Sequence, residues 1–88
     1  MTNASTKQRT ELSVIPKGHW RNVYHSPRRW IGADTGRVLG PGEWLGFNPY
    51  PSREVAEERG HRWIEREAVP GKAAHGTRYL GAKFFPDP

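Results

Sequence analysis

Pro51-Ser52-Arg53-Glu54-Val55-Ala56-Glu57-Glu58-Arg59-Gly60-His61-Arg62-Trp63-Ile64-Glu65-Arg66 is the stretch that sets the architecture. Ser52 follows a proline and carries the hydroxyl that an N-cap needs, so a helix is expected to start here. Glu54, Glu57 and Glu58 fill the first turns, and Arg62 and Arg66 fall at the far end. The helix dipole favours that distribution. Val55, Ala56, Gly60, Trp63 and Ile64 recur at spacings that place them on one face of an α-helix. Gly60 lies within this face and costs about 1 kcal/mol against alanine inside a helix. The expected reason is close approach to a sheet. Glu54–Glu58 and Glu58–Arg62 are (i, i+4) neighbours, the pattern of a solvated face rather than of a proton-transfer pair. Val69-Pro70-Gly71 ends the segment.

Upstream, the pattern changes to short extended runs. His19-Trp20-Arg21-Asn22-Val23-Tyr24 is aromatic and β-branched with rough alternation, and reads as a strand. His25-Ser26-Pro27-Arg28 is a turn, and Arg29-Trp30-Ile31-Gly32-Ala33 a second strand. Asp34-Thr35-Gly36-Arg37 is turn chemistry. Val38-Leu39 is a brief strand before Gly40-Pro41-Gly42, and Glu43-Trp44-Leu45-Gly46-Phe47 is a further strand. Asn48-Pro49-Tyr50-Pro51 is a stiff connector to the helix. Downstream, Arg78 to Phe85 reads as a last strand or an extended segment lying on the core. Ser13-Val14-Ile15-Pro16 reads as an edge strand, and residues 1–12 as a disordered polar tail. The expected fold is α+β: a small antiparallel sheet of three to four strands with one helix on one face, in a single domain over 13–88.

Composition agrees with a small domain. Eighty-eight residues make one domain. Only 34% are hydrophobic, while glycine and proline number 10 and 8, so the core must be thin. Four Trp, three Tyr and three Phe are left to build it. With no cysteine, disulfides and thiolate metal sites are excluded. No run of eighteen apolar residues is present to span a membrane. Met1 to Ser13 has no apolar core of a signal peptide. A cytoplasmic protein is expected.

Catalytic constellations do not emerge. His19, His25, His61 and His75 match no metal-ligand spacing. The glycines around Gly36 and Gly40-Pro41-Gly42 lack a following Lys-Ser/Thr and do not open a helix, so they form no phosphate loop. No enzyme activity, cofactor or metal is expected.

Charge points to a binding role. The net charge is +5, unevenly placed. Residues 1–51 hold seven basic residues against three acidic ones, while residues 52–88 hold seven against six. A basic excess suits polyanions. Arg21, Arg28, Arg29 and Arg37, with Trp44, are interleaved with aromatics on expected strands or turns. If aromatic and basic residues alternate in and out, an arginine-bearing sheet face is left to meet duplex DNA.

The same residues carry a family resemblance. Arg21-Asn22-Val23, Arg29-Trp30-Ile31, Trp44-Leu45-Gly46-Phe47, Ser52-Arg53-Glu54-Val55-Ala56 and Ala82-Lys83-Phe84-Phe85-Pro86 follow in an order and approximate spacing that resembles the APETALA/ethylene-response-factor DNA-binding domain. That family also occurs in phage integrases and homing endonucleases. The resemblance covers roughly residues 20–86 and implies a β-β-β-α order and DNA binding. Of the family's contact positions it carries over Arg21, Arg29 and Trp44. Asn22 stands where the family has glycine, Gly42 where it often has a basic residue, and Asn48-Pro49-Tyr50-Pro51 looks inserted.

Two functions are thus expected to compete, with RNA or single-stranded DNA stacked on exposed aromatics and a structural part in a larger assembly as third and fourth readings. One is a non-enzymatic module binding duplex DNA through Arg21, Arg28, Arg29, Arg37 and Trp44. The other is a small phage or mobile-element protein that grips an acidic host-protein surface and inhibits it, since arginine and aromatics also compose protein hot spots. The direction in which the tryptophans point is the distinguishing feature.

Overall fold

The computed structural model describes residues 17–88; the expected tail and the Ser13–Pro16 strand lie outside them. The elements are β1 (Gly18–Ser26), β2 (Trp30–Ile31), β3 (Val38–Leu39), β4 (Gly42–Leu45), α1 (Arg53–Glu67) and β5 (Arg78–Pro86). One helix packs on a three-stranded antiparallel sheet, and β2 and β3 form a separate two-stranded ribbon.

β1 is the middle strand, in the order β4-β1-β5. Its C-terminal half pairs with β4, with Tyr24 opposite Trp44 and His25 opposite Glu43. Its start meets Tyr50, which exchanges two backbone hydrogen bonds of 2.8 Å with Trp20. β5 returns after the helix and pairs along the other edge, from Gly18↔Pro86 to His25↔Arg78. The expected second strand, Arg29–Ala33, is reduced to two residues. These pair with Val38-Leu39 as a hairpin beside the sheet instead of joining it.

Alternation along β1 assigns the two sheet faces. Asn22, Tyr24 and Ser26 are buried on the helix side, and His19, Arg21, Val23 and His25 point the other way. A bulge opposite Val23/Tyr24 interrupts the same alternation in β5. The extra residue, Leu80, lies beside Gly81, whose φ of 136° suits glycine. The shift turns Tyr79 to the helix side, against Tyr24 and His61, and leaves Lys83 and Phe85 on the open side.

α1 forms as its sequence dictates. Ser52 is extended and its Oγ accepts the Val55 N–H at 3.2 Å. Ala56 and Gly60 are the buried helix residues. Gly60 lets the helix descend onto the sheet: a Cβ there would lie 2.5 Å from Tyr79 Cε1 and 3.0 Å from Asn22 Nδ2. Gly60→Ala is therefore expected to lower stability by about 1–3 kcal/mol through overpacking, despite a propensity gain of about 1 kcal/mol. Urea unfolding checks this, and a midpoint at or above that of the parent would refute the close-approach account.

The core is an aromatic cluster. Tyr24 is 5% exposed and stacks on Trp44 at 4.6 Å, with Trp63 at 5.0 Å. Trp30 joins from the ribbon at 5.8 Å from Trp44 and 6.1 Å from Trp63. Trp20 packs on Phe84 at 5.3 Å. Burial holds the Tyr24 phenol well above its usual pKa, with Tyr50 adding to the shift, so the ring stays neutral.

Two buried polar residues tie this cluster together. Ser26 Oγ receives the indole N–H groups of Trp30 at 3.0 Å and Trp44 at 2.9 Å. It also lies 2.7 Å from Thr77 Oγ1. A hydroxyl has two lone pairs and one proton, and the indoles only donate, so the Ser26 proton goes to Thr77. Asn22 donates from Nδ2 to the Ala56 carbonyl at 2.8 Å and accepts the Tyr79 hydroxyl at 2.8 Å.

Candidate nucleic-acid interface

The open face of the sheet carries the basic residues of its two long strands. Arg21 on β1 stands directly opposite Lys83 on β5. Two like charges in register repel each other across a ladder. Neither makes an ion pair among the described residues, where all five ion pairs belong to helix residues and Lys72. Arg21 Cζ and Lys83 Nζ each lie 5.6 Å from the centre of the Phe85 ring. His19 stacks on the same ring at 5.6 Å and 12°. Arg21 Nε also donates to the Gly46 carbonyl at 2.9 Å, which orients its guanidinium. Val23, Leu45 and Phe85 line a shallow depression of about 330 Å³ between these groups, with Glu43 at its edge. His25 Nδ1 is buried and has no hydrogen-bond partner among the described residues.

The five residues singled out from the sequence do not converge on this face. Arg21 does lie there. Arg28 and Arg29 occupy the exposed turn after β1. Arg37 belongs to the ribbon and its guanidinium sits 5.5 Å from the Phe47 ring. Trp44 points to the helix side, with its N–H on Ser26. Among the residues missed, Lys83 and Phe85 matter most. Their i, i+2 spacing was visible, but their place beside Arg21 depends on β5 pairing with β1 across more than fifty residues of chain.

No group of three or more His, Asp or Glu side chains among the described residues is placed to hold a metal ion. No described helix is long and apolar enough to cross a membrane. Comparison of the chain with protein-family models, with curated proteins and with solved structures finds no match.

Proposed function

We propose that the protein is a non-enzymatic module that binds duplex DNA through the open face of its sheet. The observation that carries this reading is the Arg21–Lys83 pair: two cations in register, without carboxylate partners among the described residues, on an otherwise uncovered face of the described fold. Phosphates relieve the repulsion between them. Three strands spaced by about 4.8 Å put the outer two about 10 Å apart, comparable to a major groove about 12 Å wide. Phe85 is occupied by His19, Arg21 and Lys83, so it offers no free ring to an unpaired base. That favours a duplex over a single strand.

Each phosphate neutralised contributes about 0.9 to the slope of log K against log salt. Fluorescence anisotropy with a labelled mixed-sequence duplex, between roughly 50 and 200 mM salt, is expected to show a steep slope. In the Arg21→Ala/Lys83→Ala variant that slope flattens by about 1.8 and binding at low salt weakens. No binding at the lower salt, or a correctly folded double variant that binds like the parent, refutes the proposal.

A further inference from the structure

The helix side of the sheet holds a second surface, facing away from Arg21 and Lys83. A cleft of about 940 Å³ opens between the β2–β3 ribbon, the segment after β4 and α1. That is at the upper end of the range of ligand clefts, about 300–1,000 Å³. Its floor is the aromatic cluster of Tyr24, Trp30, Trp44 and Trp63. Ile31 and Phe47 stand at its mouth, 62% and 63% exposed. Arg37, Arg59, Arg62, Arg66 and Lys72 line it, against Asp34 and Glu67 as the acids.

The three helix arginines lie three and four residues apart, which places them in one stripe. At 1.5 Å per residue the stripe runs about 10 Å along the cleft. Their present partners are Glu58 and Glu67. The arginine side chains are 58–65% exposed. Exposed pairs of this kind contribute under about 1 kcal/mol, so an incoming carboxylate can displace them.

The floor suits apolar side chains better than bases. Its aromatic faces are turned on one another, Tyr24 being stacked on Trp44. The N–H groups of Trp30 and Trp44 both go to Ser26 and are withdrawn from base edges. Phe47, the most exposed ring, carries the Arg37 guanidinium. An apolar aromatic floor with an arginine rim has the composition of a protein-recognition centre.

We infer that this cleft takes an acidic peptide segment of a partner protein, with apolar side chains on the Trp30–Trp44–Trp63 floor and carboxylates on the Arg59–Arg62–Arg66 stripe. The inference is independent of DNA binding on the opposite face.

The test is selection from a random-peptide library on the full chain, followed by titration of the enriched peptides into the isotope-labelled protein. Enriched peptides are expected to place Asp or Glu beside Leu, Phe or Trp. They shift the indole N–H signals of Trp30, Trp44 and Trp63 but not the amide signals of Arg21 and Lys83. Phe47→Ser and Arg62→Glu, both at exposed positions, each weaken binding by about tenfold or more while their circular dichroism matches that of the parent. Enrichment of no sequence, of basic sequences, or of peptides that bind both variants as well as the parent overturns the inference. So does displacement of the peptide signals by oligothymidylate at equal concentration, which assigns the cleft to single strands.

Discussion

Ser26→Ala is expected to destabilise the protein by about 3 kcal/mol, because three hydrogen-bonding groups lose their common partner. Ser26 is 1% exposed and no other described residue accepts the Trp30 and Trp44 indoles. Each buried donor left unmade costs about 1–3 kcal/mol. The half-buried indoles recover part of that by turning to water. A domain of this size has a total stability of about 4–11 kcal/mol at 0.05–0.15 kcal/mol per residue, so the variant keeps about 1–8 kcal/mol. Thr77→Val removes only the acceptor of the Ser26 proton and is expected to cost about 1 kcal/mol. Urea unfolding of both variants, followed by tryptophan fluorescence, reads the order directly. A Ser26→Ala loss under about 0.5 kcal/mol, or one smaller than that of Thr77→Val, contradicts the assignment of Ser26 as the shared acceptor.

Asn22→Asp is expected to be worse, at about 3–5 kcal/mol near neutral pH. Asn22 is 2% exposed, and its amide donates to the Ala56 carbonyl while its oxygen accepts from Tyr79. The isosteric acid keeps the acceptor but turns an oxygen toward the Ala56 carbonyl. Burial raises the carboxyl pKa in the folded state above its unfolded value of about 3.9. The sign follows from linkage. Below the unfolded pKa the group is protonated in both states, and its O–H can donate to Ala56. As pH rises the unfolded chain releases its proton first and the variant loses stability, until the folded pKa is passed. The stability difference from the parent is therefore smallest near pH 3 and grows toward neutrality. A difference independent of pH means that the buried amide is not where the structure places it.

The same two residues explain how the aromatic cluster and the candidate interface coexist. β1 uses Asn22, Tyr24 and Ser26 to hold the helix, ribbon and β5, and this frees Arg21 and Val23 for the opposite face. A fold with only Tyr24, Leu39, Ala56 and Ala74 as buried hydrophobics among the described residues depends on such polar joints. Trp30, Trp44 and Trp63 fill the helix side, where they serve the core and the floor of the cleft together.

Much of this was legible locally. The N-cap at Ser52, the charge order of α1, its buried face and the need for glycine at position 60 all follow from periodicity, capping and side-chain size. Strand segments around residues 19–24, 38–39 and 43–45 follow from alternation and turn residues. Apart from the glycine, whose close neighbours Tyr79 and Asn22 are distant in the chain, each of these rests on neighbours within about ten residues, which a sequence displays directly.

The faces were decided by long-range pairing. From alternation alone, Tyr79, Gly81, Lys83 and Phe85 share a side; the bulge at Leu80-Gly81 sends Tyr79 to the core and keeps Lys83 and Phe85 outside. Likewise Arg29–Ala33 has strand composition, but Trp30 is drawn onto Trp44, Trp63 and Ser26, so the segment folds as a ribbon over the cluster and carries Arg37 with it. Composition and spacing determined that this chain is a small basic α+β domain with one capped helix. Which cations meet on one surface was left to tertiary structure, because a one-residue shift in register reverses the side of every residue beyond it and only contacts between distant segments select that register.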